Sequence, residues 1–222
     1  MKKVDLTHTL SSEILHWDGD CCFRTEIKVD YKDCTPPNLF RVQKIEMKAG
    51  AGTHIDAPAH CLPEGKTIEK LELENLVTEC VVIKIDNAKE DTLLTPDLIE
   101  KFEKENGKIN QNTFVIFNTG WDKYWNEPKK YRNDFKFPSV HEETAKLLLE
   151  RNIAGIGIDT LSPDASGQDF PVHRILLGAE KYIVENIANA KELPAVGSKV
   201  CILPIKIKDG TEAPVRMIAI LE

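Results

Sequence analysis

The stretch that decides the fold reads Met47-Lys-Ala-Gly-Ala-Gly-Thr-His54-Ile-Asp56-Ala-Pro-Ala-His60. Its glycines and its proline argue against one continuous helix, because glycine weakens a helix and proline does not fit a helix interior. If the backbone is extended around residue 55, His54 and Asp56 point to the same face. The proline then turns the chain, and His60 can return to the same cavity from another direction. Imidazole and carboxylate together suit Zn²⁺, Mn²⁺ or Fe²⁺, the ions that activate water, so this stretch is a candidate metal centre.

Length and composition describe an ordinary globular protein. The chain has 222 residues, enough for a sizeable core, with 41% hydrophobic and 29% charged residues. Its net charge of −7 argues against nucleic acid as a partner, since phosphate binding needs a basic surface. No run approaches the roughly 20 apolar residues of a membrane span, and the N-terminus lacks a signal-peptide core, so we expect a cytoplasmic protein without a membrane partner. The six cysteines form no Cys-x-x-Cys pair and do not by themselves imply disulfides.

The order of the predicted elements favours an α/β fold. Alternating apolar residues in the first third predict strands at 4–10, 23–31 and 39–47, the last two as an antiparallel pair. After residue 77, apolar and β-branched runs predict strands at 77–85, 113–117 and 153–158, and their alternation with helices is typical of parallel strands. We expect these helices at 95–107, 141–152 and 171–178, the first with Thr95 as its N-cap and Pro96 in its first turn. No repeat or linker interrupts the chain, so we predict a single α/β domain over residues 1–222, with a mixed β-sheet and flanking helices.

Two further polar positions stand out beside the quoted stretch. His173 lies in the short third helix, and Glu185 ends an apolar run. Buried carboxylates are rare unless they are paired or bound to metal. Residue types alone allow His54, Asp56, His60, His173 and Glu185 to be grouped in one site, but that grouping needs long-range contacts that a sequence does not show. The alternatives are a hydrogen-bonded turn at 54–60, a histidine that merely covers the sheet, and an exposed glutamate.

Several other residues have simpler explanations. Trp121 is expected in the core or at an interface. The histidines without a visible partner, expected to be exposed or structural, are His8, His16 and His141. Asp159 and Asp164 could support a nearby ligand, but a turn carboxylate with satisfied hydrogen bonds explains each of them at least as well.

In this context the quoted stretch resembles the signature of the metal-dependent cyclase family, which includes bacterial kynurenine formamidases and isatin hydrolases. The family pattern is His-x-Gly-Thr-His-x-Asp-x-Pro-x-His, and residues 52–60 match it from its third position onward. The other segments that resemble the family, in chain order, are Asp5-Leu-Thr-His-Thr-Leu, Trp17-Asp-Gly-Asp20, Thr119-Gly-Trp121, Gly157-Ile-Asp159-Thr-Leu-Ser, His173-Arg-Ile-Leu-Leu and Ile183-Val-Glu185-Asn. The resemblance covers nearly the whole chain, and ordered agreement of this kind is more specific than any single motif.

The resemblance implies a swivelling β/β/α domain that hydrolyses an amide or lactam-type bond with a metal-held water. The positions that match the family's metal ligands are His54, Asp56, His173 and Glu185, which would hold one or two Zn or Mn ions. His60 matches the proton donor and acceptor, and Trp17 matches an aromatic residue of the substrate pocket. Family members are usually homodimers or larger homo-oligomers, so we expect an oligomer with a small-molecule substrate.

One departure from the family pattern divides the functional hypotheses. The first histidine of the pattern falls on Gly50, which offers no ligand. A single metal, a replacement ligand or water, or a loss of catalysis could follow. The leading hypothesis is a divalent-metal-dependent hydrolase of a small amide, formamide, lactam or lactone, with His60 as proton shuttle. The alternative is a catalytically inactive small-molecule binding protein that retains the fold and a partial metal site.

Overall fold

The computed structural model describes residues 1–14, 16–165 and 169–221, which contain twelve strands and five α-helices. In chain order the strands are β1 (Lys2–Asp5), β2 (Phe23–Val29), β3 (Val42–Met47), β4 (His54–Asp56), β5 (Val77–Lys84), β6 (Leu93–Leu94), β7 (Phe114–Asn118), β8 (Ser139–Val140), β9 (Gly155–Ile158), β10 (Tyr182–Glu185), β11 (Ser198–Pro204) and β12 (Glu212–Leu221). The helices are α1 (Leu73–Leu76), α2 (Pro96–Asn106), α3 (Pro128–Arg132), α4 (Glu142–Glu150) and α5 (Pro171–Gly178).

Eight of these strands form one mixed sheet in the order β1-β12-β11-β5-β7-β9-β10-β4. The central strands β5, β7, β9 and β10 run parallel, whereas β1, β12, β11 and β4 join antiparallel. The predicted α/β fold with a mixed sheet is therefore confirmed. Strand β4 pairs with β10 and also with the start of β12, so three distant parts of the chain meet at His54–Asp56.

Strand β7 explains how the sheet is buried on both faces. Phe114 and Ile116 belong to one hydrophobic cluster, which also contains residues of β4, β11 and β12. Val115 and Phe117 belong to a second cluster, on which helices α2, α4 and α5 pack. Because side chains alternate along a strand and both faces are covered, the strand is an uninterrupted apolar run. This double packing holds the carboxyl-end loops of the parallel strands in place.

Helix α2 begins where its sequence predicts, with Pro96 in the first turn. There the missing amide hydrogen of proline costs no helical hydrogen bond. Thr95 occupies the expected N-cap position with an extended backbone, but its side chain accepts no hydrogen bond from the helix. Its hydroxyl instead donates to the carboxylate of Asp97. The position of the helix start is therefore as predicted, while the capping interaction differs.

The first third of the chain departs most from the predicted pattern. β2 and β3 do form the expected antiparallel pair, but as a separate two-stranded sheet. The strand predicted over 4–10 ends at Asp5, because the chain then crosses from β12 towards the loop after β10. There Leu6 donates to the Met217 carbonyl and accepts from the Ala188 amide. In the described part of the chain, no helix is long and apolar enough to cross a membrane.

Candidate active site

Strands β4 and β10 and helix α5 bring four of the singled-out side chains together. His54 and Asp56 are two residues apart on β4, so both point to one face, and Glu185 of β10 lies directly opposite His54 in the antiparallel register. His173 reaches the same place from the first turn of α5. All four side chains are buried. Residue spacing could suggest this grouping, but the pairing of β4 with β10 is what produces it.

The four side chains form a closed square of alternating imidazole and carboxylate groups. The Nε2 atom of His54 lies 3.5 Å from Asp56 Oδ1 and 3.4 Å from Glu185 Oε2. The Nε2 atom of His173 lies 3.6 Å from Asp56 Oδ2 and 3.4 Å from Glu185 Oε1. Each carboxylate therefore turns one oxygen towards each imidazole. This geometry suits two carboxylates that bridge between two cation positions.

Outer hydrogen bonds fix the direction of both imidazoles. His54 Nδ1 lies 2.9 Å from the carbonyl oxygen of Gly52, which only accepts, so Nδ1 carries the hydrogen. His173 Nδ1 donates in the same way to Asp164 Oδ2 at 2.7 Å. Asp164 also accepts from the backbone amides of Val172 and His173, at 2.9 and 3.0 Å. Both rings are thereby held with Nε2 facing the square, as in metal sites with an outer carboxylate or carbonyl partner.

The charges of the square are strongly coupled. Burial alone would lower the pKa of His54, but the carboxylates of Asp56 and Glu185 outweigh it and raise this pKa to about 10. Burial is likewise outweighed at His173, where Asp164, Asp56 and Glu185 raise the pKa well above the ordinary value of 6.5. Burial would raise the pKa of Glu185, yet the two imidazoles lower it to about 2. The square thus stabilises positive charge at its centre, the charge that a divalent cation would also supply.

One atom of the square has no hydrogen-bond donor within the described residues. Asp56 Oδ1 is buried without such a partner. A buried carboxylate oxygen without a donor is costly, and a bound cation is one of the usual ways to offset the cost. Asp56, His173 and Glu185 each offer a ligand atom within 4.8 Å of the others. Two nitrogen and several carboxylate oxygen donors suit Zn²⁺ or Mn²⁺, so the residues present fit a divalent metal.

The square opens into a cavity of about 500 Å³. The residues of its wall outside the square include Trp17, His60, Cys61, Phe170 and Arg174. Trp17 packs against Phe170 with ring centroids 5.7 Å apart, and Phe170 meets His173 edge-on at 5.9 Å. The side chain of His60 is 35% exposed, and its ring centroid lies 6.0 Å from that of His173. The cavity therefore joins an aromatic wall and a solvent-accessible imidazole to the square.

Among the residues of the cavity wall that were not predicted from the sequence, His16 and Glu212 lie next to Gly50. His16, expected to be exposed or structural, lines the cavity beside Gly50. Glu212, at the start of β12, lies opposite Asp56 in the register of β12 with β4 and forms a second group of potential ligands with His54 and Asp56. No sequence motif marks Glu212, because an acid at the start of a late strand is common. The signal that points to it is the missing side chain at Gly50.

The structure decides most of the remaining alternatives. Asp159 accepts hydrogen bonds from the backbone amides of residues 119–121 and from the Asn118 side chain, so it is a satisfied turn carboxylate. Trp121 is buried and donates to the Tyr131 carbonyl, as expected for a core residue. His141 caps α4 by accepting from a helix amide.

The chain is similar to known proteins of one family. The family model named Cyclase matches residues 4–165. The chain is 31% identical over 188 residues to the isatin hydrolase of Roseibium aggregatum, which covers 77% of this chain and 71% of that protein. It is 26% identical over 216 residues to the kynurenine formamidase of a Bacillus cereus strain, and this alignment covers 97% of this chain and 95% of that protein.

A solved structure agrees along the whole chain. Isatin hydrolase A from Labrenzia aggregata bound to benzyl benzoate is 33% identical, has a TM-score of 0.88 and covers 99% of this chain and 93% of that chain. The predicted resemblance is therefore confirmed, and the chain belongs to the cyclase family of hydrolases.

Proposed function

We propose that the chain is a divalent-metal-dependent hydrolase of a small amide, formamide, lactam or lactone, of the isatin hydrolase or kynurenine formamidase type. The observation that carries this proposal is the buried square, whose facing atoms are 3.4 to 3.6 Å apart. The proposed metal ligands are His54, Asp56, His173 and Glu185, and one or two Zn²⁺ or Mn²⁺ ions suit them. When bound, such an ion acidifies water and polarises a substrate carbonyl.

The protein's own groups supply orientation and proton transfer. The Gly52 carbonyl and the Asp164 carboxylate hold the two ligand imidazoles with Nε2 inward. His60 lies outside the square, faces the cavity and reaches solvent. An imidazole beside the square can accept a proton from water and donate it to the leaving nitrogen or oxygen, and this is the role that we propose for His60.

The cavity wall supports a small planar substrate. A volume of about 500 Å³ lies within the ordinary range for small-molecule pockets. Trp17 is packed against Phe135 with ring centroids 4.2 Å apart, which keeps its face in one orientation beside Phe170. Flat aromatic faces favour aromatic or conjugated ligands. Trp17 is accordingly the proposed substrate-binding residue, and isatin and N-formylkynurenine are suitable first substrates.

The decisive experiment combines metal analysis with turnover. Protein purified without chelators is assayed for metal by elemental analysis and then for hydrolysis of isatin, N-formylkynurenine and simple lactones. We expect bound divalent metal, and turnover of at least one substrate class that is lost on chelation and restored by Zn²⁺ or Mn²⁺. Absence of turnover with every class, in protein that has taken up metal, would leave the inactive binding protein as the explanation.

Two variants separate the proposed roles. His54→Ala should lose the ion that His54 holds, and turnover with it, whereas His60→Gln should retain all bound metal and lose turnover. The matched control is His141→Gln, since His141 is an imidazole at the start of α4, outside the cavity wall, and should change neither. Full activity of His60→Gln would contradict its role as proton shuttle. A homodimer or larger homo-oligomer stays a prediction, which light scattering of the purified protein would test.

A further inference from the structure

Gly50 stands where the family pattern has a histidine, and a side chain at this position would compete with the carboxylate of Glu212 for the same space. A Cβ atom built on Gly50 would lie 2.7 Å from Glu212 Oε1, 3.4 Å from His54 Nε2 and 3.5 Å from His16 Nε2. The first distance is shorter than real Cβ contacts. The backbone of Gly50 is not among the glycines with positive φ, so backbone conformation does not demand glycine here. The space that a side chain at position 50 would use is occupied by the carboxylate of Glu212.

Strand pairing delivers this carboxylate to the square. Glu212 is the first residue of β12 and pairs with Asp56 across the β12–β4 ladder. One of its oxygens, one oxygen of Asp56 and one ring nitrogen of His54 all lie within 4.8 Å of one another. The other described group of ligands, Asp56, His173 and Glu185, shares Asp56 with it. The two groups lie on either side of Asp56, because its Oδ1 faces His54 and its Oδ2 faces His173.

We infer that Glu212 replaces the missing family histidine as a metal ligand, so that the chain holds two ions despite Gly50. The first ion would be held by His54, Asp56 and Glu212, and the second by Asp56, His173 and Glu185. The unpartnered Asp56 Oδ1 supports this assignment, because it is buried and turns towards His54 while Oδ2 turns towards His173. The inference rests on the proposed metal dependence of the hydrolase.

A carboxylate in place of an imidazole changes which metal ion the first position, at His54, Asp56 and Glu212, prefers. Imidazole suits Zn²⁺, whereas carboxylate oxygen suits harder ions such as Mn²⁺. With Glu212, the first position has one imidazole and carboxylate oxygens as its protein ligands. We therefore expect Mn²⁺ to compete better with Zn²⁺ at this position than it would with a histidine at residue 50.

The test measures metal binding directly, without reference to activity. Chelator-treated protein is titrated with Mn²⁺ and with Zn²⁺ in a calorimeter, and metal per chain is counted after dialysis. We expect two ions in the unaltered chain. In Glu212→Gln we expect one ion to bind at least tenfold more weakly while the other is unchanged. The matched control, Glu46→Gln, removes an exposed glutamate of β3 and should bind as the unaltered chain does.

A double variant that moves the ligand from residue 212 to residue 50 tests the inference by a gain of metal binding, which a poorly folded protein would not show. Gly50→His combined with Glu212→Ala restores the family's imidazole and removes the conflicting carboxylate, so it should recover the first ion and shift the preference of that position towards Zn²⁺. Thermal melting of each variant confirms that it is folded. Two ions with unchanged affinities in folded Glu212→Gln would overturn the inference.

Three further outcomes separate the inference from the proposed function. One ion in the unaltered chain, with an affinity that Glu212→Gln does not alter, would overturn the inference but leave a single-metal hydrolase. No ion in the unaltered chain would overturn both. If Glu212→Gln changed only the pH profile of turnover, Glu212 would act on His60, whose Nδ1 lies 3.9 Å from Glu212 Oε2, and not on a metal ion. That result would also overturn the inference.

Discussion

Asp164→Asn tests whether the carboxylate behind His173 positions a metal ligand. Asp164 is fully buried and accepts three hydrogen bonds, from the backbone amides of Val172 and His173 and from His173 Nδ1. The substitution keeps the size of the side chain but removes its charge. It also replaces one acceptor oxygen by an amide nitrogen, so that two hydrogen-bond donors face each other at Val172 or His173. The imidazole of His173 should lose its fixed orientation and part of its basicity.

The magnitude follows from these contacts. Loss of an outer partner of a ligand imidazole weakens metal affinity about 10- to 100-fold, which corresponds to about 1.4 to 2.8 kcal/mol. The weakened ion should be the one next to His173, because His54 is oriented independently by Gly52. Isothermal titration of the metal-free variant with Zn²⁺ and Mn²⁺ measures this difference. Urea unfolding would show an added loss of about 2 kcal/mol, since the bonds to Asp164 are charge-assisted.

The control is Asp159→Asn, which alters another fully buried carboxylate at a strand end. Asp159 bonds to residues 118–121 and contacts no imidazole of the square, so this variant should lose stability without losing metal affinity. If Asp164→Asn folds and binds metal as tightly as the unaltered chain, the positioning role of Asp164 is refuted. Equal losses of affinity in both variants would also refute it, because the effect would then be a general consequence of destabilisation.

Three further predictions concern charge. Metal binding to the metal-free chain at pH 8 should release protons, because the pKa of His54 is raised to about 10. Calorimetry in buffers of different ionisation enthalpy measures the release. Its absence would contradict the link between metal binding and proton release. Glu103→Gln should lower the free energy of unfolding by about 2 kcal/mol above pH 4.5 and by much less near pH 2. The reason is that hydrogen bonds from Arg151 lower the pKa of Glu103 to about 2. Urea unfolding at both pH values tests this. Burial lowers the pKa of His8 to about 4, so its contribution to stability is complete above pH 6.5 and is lost as the pH falls towards 4. The free energy of unfolding of His8→Phe should therefore fall by about 2 kcal/mol less between pH 7 and pH 5 than that of the unaltered chain. An unchanged pH dependence of the free energy of unfolding would count against this.

Local features of the sequence predicted most elements of the fold. Alternation and β-branched runs located the central parallel strands, and Pro96 marked the start of α2 within the ordinary uncertainty of element boundaries. These predictions succeed because side-chain periodicity and proline geometry act within a few residues. They fail for residues 4–10, where contacts with Met217 and Ala188 end the strand at Asp5.

For the site, residue types and spacing established which chemical groups are available and which face of β4 carries His54 and Asp56. The distant groups that join them became known only from the pairing of the strands. The three residues of β4 pair with both β10 and β12, and these pairings bring Glu185 and Glu212 to the same place. Such registers depend on burial of apolar side chains across the whole sheet, not on any local pattern. That is the physical reason why the sequence predicted a gap at Gly50 and only the fold supplied the carboxylate that fills it.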